Sequence, residues 1–265
     1  MNVFFHELRA LRKTTIIWTL SLVGVVVLFM SMFPTIAKDI EDYKKVLDGF
    51  PDAVKQAMGL QVETFGSVLG FYAYVFVYIS LCGAIQAMNF GTAIVSKEAR
   101  EKTADFLLTK PITRKAILTA KVLASFTAIL FTSIVYVIAS WVMVAAVATD
   151  EYSTKAFFLI SLSLFFIQLI FLAVGILFSV TLPKIKSVLS VSLGTVFGFF
   201  IVGMLSSTSG DDFKRYLSPF KYVDSHYLIE HTSFEGSFLI AGLGIVLVSV
   251  IVSYITYLKK DIHSV

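Results

Sequence analysis

The chain has 265 residues, of which 57% are hydrophobic and 15% charged, with a mean hydropathy of +0.84 and a formal net charge of +4. Soluble domains contain about 25% charged residues, so this composition excludes an ordinary soluble protein and indicates a polytopic membrane protein. The sequence contains no Walker A, HExxH, GxSxG or CxxC motif. We therefore expect no catalytic activity and no cofactor on this chain.

The first 13 residues read MNVFFHELRALRK. Wound into a helix, this segment directs most of its large apolar side chains to one side and its three basic side chains largely to the other. Such a pattern is typical of a helix that lies in the membrane interface with its charges near lipid headgroups. We predict an amphipathic interfacial helix here, and a simple charged tail ahead of the first span remains the alternative.

Six long apolar runs follow, and none of them contains Asp, Glu, Lys or Arg. Each is long enough to cross a hydrocarbon core of about 30 Å as a helix. The sequence therefore predicts one all-α transmembrane domain over residues 1–265. The six predicted spans are approximately residues 15–33, 67–95, 122–148, 156–182, 187–209 and 236–258.

Six spans place both termini on the same side of the membrane. That side carries 14 Lys and Arg residues against 8 on the other, and it carries 5 of the 18 acids. Because cytoplasmic loops are enriched in Lys and Arg, we predict a cell-membrane protein with both termini in the cytoplasm. The outer loops then fall at residues 38–66, 150–155 and 210–235, the first of them long, acidic and partly amphipathic.

The connector Lys97–Lys121 is unusually charged, with seven Lys and Arg among its 25 residues. Ser96 can cap a short helix there, and Pro111 must interrupt it because proline has no N–H to donate. Thr113 can cap the helix that enters the third span, where Lys121 is expected to snorkel. The pattern predicts a rigid surface element for contact with another protein, although a solvated loop that only fixes topology fits equally well.

From Glu98 the chain reads EAREKTADFLLTKPITRKAILTAK. The order of an acid, a threonine, a Leu-Leu pair, a Pro-Ile-Thr-Arg turn and a later lysine resembles the cytoplasmic signature of type-2 ABC transporter permeases. Lys102 stands where that family often has glycine. A second segment, LSPFKY at residues 217–222, resembles the segment before the final span of bacterial members.

The resemblance implies that two such permeases pair and that each docks on an ATPase subunit from a separate chain, which would bind ATP and Mg²⁺. The segment near residues 98–109, within a cytoplasmic loop at 96–115, would be the coupling helix. The N-terminal helix would be the connecting helix. ATP-driven closure of the ATPases would then reshape the path between the permeases. The residues assigned to ATPase coupling are Glu98, Glu101, Lys102, Thr103, Phe106, Leu107, Leu108, Pro111 and Arg114.

A few polar or small residues interrupt the apolar spans. Gln86, Asn89 and Gln168 could line a substrate path, and interhelical hydrogen bonds that hold the bundle are the alternative. Gly194 and Gly198 form a GxxxG pattern that permits close helix approach. Since the fifth span of the resembled family contributes to the permease–permease contact, we take both glycines as dimer-interface candidates, with packing inside one subunit as the alternative.

The last outer loop contains aromatic and ionisable residues. It is expected to form a cap of short helices whose aromatic side chains make an interfacial belt. The expected belt residues are Tyr216, Phe220, Tyr222 and Tyr227. Asp224, His226, Glu230 and His231 also cluster here, but their spacing fits no standard metal site, so no metal is expected.

Taken with this resemblance, the patterns predict the transmembrane subunit of an ABC transporter, which exports an amphipathic or hydrophobic substrate. Its expected partners are an ABC ATPase, a second permease copy or paralogue and the lipid bilayer, and not nucleic acid. A membrane partner of an ABC ATPase that senses a ligand or assists assembly remains an alternative. A polytopic membrane enzyme is less favoured, because the spans bring no catalytic set of His, Asp, Glu, Ser or Lys into view.

Overall fold

The computed structural model describes residues 3–51, 54–55, 61–101, 113–149, 151–182, 185–207 and 212–259, with the backbone alone described at 97–101 and 212. All regular elements in these ranges are helical, which confirms the predicted all-α class. A 3₁₀ turn spans Pro219–Lys221. The α-helices are α1 (Val3–Lys38), α2 (Ile40–Asp48), α3 (Val68–Glu101), α4 (Arg114–Val147), α5 (Thr154–Thr181), α6 (Val188–Ser207), α7 (Asp212–Arg215), α8 (Ser225–His231) and α9 (Gly236–Lys259).

Six of these helices, α1, α3, α4, α5, α6 and α9, are long and apolar enough to cross a membrane. The shortest, α6, has 20 residues and is therefore about 30 Å long at ~1.5 Å per residue. This number matches the six predicted spans, because a helix that crosses the hydrocarbon core must be apolar along its whole length. The protein is a multi-pass membrane protein.

Helices α3 and α5 form the centre of the bundle, and their mutual contact is the most extensive between any two described helices. Helix α1 packs on α4 and α3, α9 packs on α5, and α6 packs on α3. The apolar segments of α3 and α5 are mostly buried, whereas only about a quarter of those of α1, α6 and α9 is buried. Because lipid tails are apolar, the outer helices can be hydrophobic on both their protein-facing and their exposed sides.

The N-terminal segment differs from the expectation. No separate interfacial helix precedes the first span, because α1 runs without a break from Val3 to Lys38 over 36 residues. Its polar residues Arg9 and Arg12 are exposed, while Leu8 and Leu11 are half-buried. The amphipathic pattern is present, but it belongs to the first turns of a helix about 54 Å long rather than to a distinct element.

Aromatic side chains join the end of α1 to the start of α3. The ring centroid of Phe71 lies 5.5 Å from that of Phe33 and 5.4 Å from that of Phe65. Phe65 also packs edge-on against Tyr74, at 5.6 Å. Aromatic pairs at these separations stabilise beyond the area they bury, so this cluster holds the two helices together at the membrane face where α1 ends.

Candidate functional site

The charged connector is the predicted contact element, and the structure describes its two ends, up to residue 101 and from residue 113. Helix α3 continues to Glu101, beyond the end of its apolar span at Ser96. Helix α4 begins at Arg114, and the Thr113 hydroxyl accepts a hydrogen bond from the Ala116 N–H at 3.3 Å. The predicted cap at Thr113 is therefore confirmed, and it fixes where the chain re-enters the bundle.

The predicted cap at Ser96 is wrong. Ser96 lies inside α3 and is buried, and its hydroxyl donates a 2.5 Å hydrogen bond to the Thr92 carbonyl oxygen one turn earlier. A serine that bonds back to the preceding turn leaves the helix unbroken. The helix that leads into the connector is thus the second span itself, extended past Ser96 to Glu101.

Lys121 does not snorkel towards water as expected. Its side chain is only 3% exposed, its Nζ donates to the Ile94 carbonyl oxygen at 2.9 Å, and its Nζ lies 3.4 Å from Glu7 Oε1. A buried ammonium group is tolerated only when such partners replace its lost hydration. The lysine therefore ties α4 to α3 and α1 directly below the connector, and we call Glu7, Ile94 and Lys121 the basal tie.

A second set of polar contacts lies inside the bundle. Gln86 Nε2 donates to Thr132 Oγ1 at 2.9 Å, and Gln168 Nε2 donates to Gln86 Oε1 at 3.0 Å. Ser133 Oγ donates to Gln168 Oε1 at 2.7 Å, and the hydroxyls of Thr19 and Thr132 are 2.9 Å apart. All five side chains are buried, so this network joins α1, α3, α4 and α5 through satisfied hydrogen bonds.

The structure thus brings two of the three substrate-path candidates together. Gln86 and Gln168 are fully buried and bonded to each other, which is the arrangement that the packing alternative describes. Asn89 lies one turn further along α3 and is half-buried. A role for any of the three in a substrate path remains a prediction.

Tyrosine hydroxyls make a further contact between the same central helices. The Tyr72 hydroxyl lies 2.6 Å from that of Tyr136 and 2.8 Å from Ser161 Oγ, and all three residues are buried. They come from α3, α4 and α5 respectively. Because a buried hydroxyl without a partner is costly, these mutual bonds let large amphipathic side chains fill the core.

Two glycines that the sequence analysis did not single out allow α3 and α5 to cross closely. A Cβ on Gly175 would lie 2.7 Å from the Met88 carbonyl oxygen and 3.0 Å from the Gly91 Cα. A Cβ on Gly91 would lie 2.9 Å from the Gly175 Cα. Only glycine fits when two helix backbones come this close. Neither glycine belongs to a GxxxG pattern with the other, so spacing along the chain gave no signal.

A comparison with known protein families agrees with the six-helix membrane bundle. The family model described as ABC-2 family transporter protein matches residues 1–262. The chain belongs to the ABC-2 transporter family. It is therefore an ABC transporter permease, the membrane subunit of a transporter rather than its ATPase. A comparison with curated protein sequences gave no match.

Most residues assigned to ATPase coupling in this ABC-2 permease lie outside the described structure. Glu98 and Glu101 lie on the last turns of α3, where only the backbone is described, and Arg114 is the half-buried first residue of α4. The remaining assigned residues fall outside the described ranges: Lys102, Thr103, Phe106, Leu107, Leu108 and Pro111. Their coupling role stays a prediction.

The dimer-interface candidates of the ABC-2 permease lie on an open face of α6. Gly194 and Gly198 are exposed, and a Cβ on either would meet no atom of the described chain within 4 Å. The close approach that their spacing permits is therefore not used between the helices that the structure describes. A dimer role for this face remains a prediction, whereas Gly91 and Gly175 supply the close packing within the subunit.

The connector between α6 and α9 is held by a half-buried ion pair. Arg215 Nη1 donates to Glu235 Oε1 at 3.1 Å, its Nη2 contacts Glu235 Oε2, and its guanidinium carbon lies 4.2 Å from the Phe238 ring centroid. Such a bidentate and stacked geometry suits arginine and not lysine. The Ser218 hydroxyl donates to the Phe199 carbonyl oxygen at 2.7 Å, which fastens the LSPFKY segment to α6.

The short helices α7 and α8 and the 3₁₀ turn form the expected cap in this connector, but one of its aromatic side chains is not part of an exposed belt. Tyr222 is buried and its hydroxyl donates to the Tyr216 carbonyl oxygen at 2.8 Å. Phe220 packs on Phe171, with ring centroids 5.1 Å apart. Tyr216 is exposed and Tyr227 is half-buried. The belt expectation is wrong for Tyr222, because the segment folds back on α5 and α6 and buries it.

Burial shifts the pKa of two side chains in this cap. Desolvation lowers the pKa of the half-buried Lys221, and neighbouring Asp224 opposes that shift. Burial raises the pKa of the Tyr222 hydroxyl. Asp224 caps α8 by accepting from the N–H groups of His226 and Tyr227. Among the described residues, no cluster of three or more His, Cys, Asp or Glu could hold a metal ion.

Proposed function

We propose that this permease is the transmembrane half of an ATP-driven exporter and that a separate chain hydrolyses the ATP. Permeases of the family generally work with an ABC ATPase subunit. The observation that carries the proposal is the charged connector between α3 and α4, whose sequence resembles the coupling signature of type-2 permeases and which is anchored at its base by the basal tie. On this proposal, ATP and Mg²⁺ bind the ATPase.

The anchoring supports a mechanical role for the connector. A loop transmits a displacement only if its ends are fixed to elements that move with it. Here the incoming helix is a continuation of the second span, and the outgoing helix starts at a capped residue, Thr113. The Lys121 ammonium then joins both helices to α1 within two turns of that start. Movement of the connector would therefore reach three spans at once.

We infer that the connector faces the cytoplasm, together with both termini, in the cell membrane. The bias of 14 Lys and Arg residues against 8 supports this orientation. An ATPase that uses cytoplasmic ATP can reach the connector only from that side. In this orientation the proposed ATPase and the connector lie on the same side of the membrane.

The spans favour an amphipathic or hydrophobic cargo. None of the six predicted span windows contains a carboxylate, so no proton relay or strong cation site of the kind used by ion-coupled carriers runs through them. The two fully buried glutamines, Gln86 and Gln168, already bond to each other. Two permease copies that meet at α6 would enclose a path between them, lined by largely apolar helices.

The experiment that tests the proposal is co-purification. The full chain is expressed with an ABC ATPase encoded beside it, one that carries GxxxxGK[ST], and the complex is isolated through a tag on the permease. We expect Leu107→Asp and Glu98→Arg to abolish recovery of the ATPase, because each changes the contact surface of the coupling segment. Both variants should still insert in the membrane at the level of the unmodified chain.

Lys186→Glu is the matched control, since Lys186 is an exposed residue of the other predicted cytoplasmic turn. It should retain the ATPase despite a change of two charge units. Equal ATPase recovery from all variants would overturn the coupling assignment. ATPase binding without ATP-dependent movement of any tested lipid or amphipathic dye would favour the sensing or assembly alternative.

A further inference from the structure

Helix α2 lies in the connector after the first span and has an unusual distribution of side chains. It begins at Ile40, two residues after α1 ends at Lys38, and the Asp39 N–H still bonds to the Thr35 carbonyl oxygen. The helix therefore starts where the first membrane span ends and has no linker that could carry it away from the bilayer surface. The permease function assigns it no role.

One edge of α2 packs against the protein. Ile40, Lys44 and Leu47 are half-buried, while the other residues of the helix are exposed. Ile40 contacts the backbone at Gly66, where a Cβ would lie 2.9 Å from the Ile40 Cγ1. Ile40 and Leu47 also pack on the main hydrophobic core. This edge fixes the rotation of α2 about its own axis.

With that rotation fixed, apolar and charged residues fall on opposite flanks. At about 100° per residue, Tyr43 and Val46 lie on one flank, and Phe50 continues it in the turn after the helix. They are 42%, 65% and 45% exposed respectively. Glu41 and Asp48 lie on the opposite flank and are exposed. The helix thus has three sectors, one against protein, one apolar and one charged.

We propose that α2 is an interfacial helix that lies along the bilayer surface at the membrane face where α1 ends, with Tyr43, Val46 and Phe50 inserted between lipid molecules. A helix beside a membrane bundle needs one sector for the bundle, one for lipid and one for water, which is the arrangement that α2 shows. Amphipathic helices in this position bury their apolar face about 5–10 Å into the boundary between headgroups and acyl chains.

The charges on the opposite flank indicate which lipid headgroups the helix can lie beside. Glu41 and Asp48 on this flank are both acidic, and the one exposed lysine of the helix, Lys45, is paired with Asp42, its Nζ lying 2.9 Å from Asp42 Oδ1. This flank does not attract anionic headgroups. The insertion is driven by the apolar flank, so it takes place in zwitterionic lipid and is insensitive to salt.

A second copy of the chain is the competing occupant of the apolar flank, and size argues against it. Stable protein interfaces involve about 20–30 residues on each side. The flank offers three side chains, two on a nine-residue helix and Phe50 in the turn that follows. Three apolar side chains are enough to hold a helix on lipid that is already adjacent, because no association entropy has to be overcome for a segment covalently attached to a span.

Spin labels on the full chain in phosphatidylcholine bilayers test the proposal. Cys82, the one native cysteine, is replaced by alanine, and nitroxides are attached at Val46→Cys and, as the matched control on the same helix, Asp48→Cys. We expect the label at position 46 to collide more with dissolved oxygen than with a water-soluble nickel chelate. The label at position 48 should show the reverse, and neither should change at high salt.

Tyr43→Cys provides an independent label on the apolar flank and should behave as Val46→Cys does. Equal access of the nickel chelate to positions 43, 46 and 48 would overturn the proposal in favour of a water-exposed helix. Protection of position 46 from both reagents, with spin–spin broadening between copies, would overturn it in favour of a protein contact. Neither result bears on ATPase coupling, which is measured separately by co-purification.

Discussion

Lys121 holds its charge inside the bundle by contacts with two other helices. The ammonium group has lost nearly all contact with solvent, and the Glu7 carboxylate and the Ile94 carbonyl oxygen replace part of its hydration. Removal of one member of a buried pair leaves the other uncompensated, which is costly. The basal tie is therefore an energetic link between residues that are far apart in sequence.

A double-mutant cycle measures that link. Glu7→Gln and Lys121→Met should each destabilise the protein, and the double variant should be less destabilised than the sum by about 0.5–3 kcal/mol, as is usual for residues in contact. The measurement is equilibrium unfolding of the purified chain by SDS in mixed micelles. Lys115→Met, at an exposed lysine of the same helix, should change stability by less than about 0.5 kcal/mol. Additive effects of the pair would contradict the tie.

Sequence reasoning could not have found this lysine's environment. A lysine next to the predicted start of a span normally snorkels, and Glu7 lies more than a hundred residues earlier, in a segment with its own plausible amphipathic role. Thr113, in contrast, was predictable as a cap because the signal is local. Ser96 carries the same local signal, but the continuation of α3 through it overrides the preference.

At the level of helices, the close crossing of α3 and α5 is the most constrained contact. Gly91 and Gly175 face each other there, and backbone atoms occupy the space that a side chain would need. Because backbone atoms cannot rotate away as a side chain can, a methyl group at either position must push the helices apart. Loss of packing along both helices follows.

We predict that Gly175→Ala destabilises the protein by about 1–3 kcal/mol, the usual cost of overpacking. Gly198→Ala on α6 is the matched control, since a Cβ there meets no described atom. It should leave stability unchanged or raise it slightly, because alanine favours the helix over glycine. SDS unfolding of both variants checks the contrast. Equal effects would show that the α3–α5 crossing is not as close as described.

A helix could be predicted from the sequence where one kind of residue pattern runs along its whole length. Apolar runs without charges gave all six spans, because burial in lipid forbids charge along a whole helix. The extension of α1 from Val3 was missed, since the composition changes at residue 13 whereas backbone hydrogen bonding does not. Helix α2 was visible only as amphipathic character in a long loop, and its three sectors depend on packing by Ile40 and Leu47.

At the level of the whole molecule, the open face of α6 is the best candidate for contact between permease copies. Most residues of this helix are not buried, and a Cβ at Gly194 or Gly198 would meet no described atom within 4 Å. Small residues on a lipid-facing helix allow another helix to approach closely. The GxxxG spacing suggested this face, and the described part of the subunit leaves it open at both glycines.

Cross-linking in native membranes tests this arrangement. With Cys82 replaced by alanine, Gly198→Cys should form a disulfide-linked dimer under mild oxidation. Leu247→Cys, at an exposed residue near the middle of α9, should remain monomeric because α9 is expected to face lipid. Dimers of the Leu247→Cys variant alone would place the contact on α9 and contradict the proposed interface.

The basal tie also sets an order for synthesis. The chain is made from its N-terminus, and segments assemble as they emerge. Glu7 and Ile94 both precede Lys121, so both partners are already in place when the third span leaves the ribosome. The ammonium group can therefore be paired as α4 enters the membrane, and α1, α3 and α4 can form a first assembly stage. Gly91, in contrast, must wait for Gly175, so the central crossing is completed only when α5 arrives.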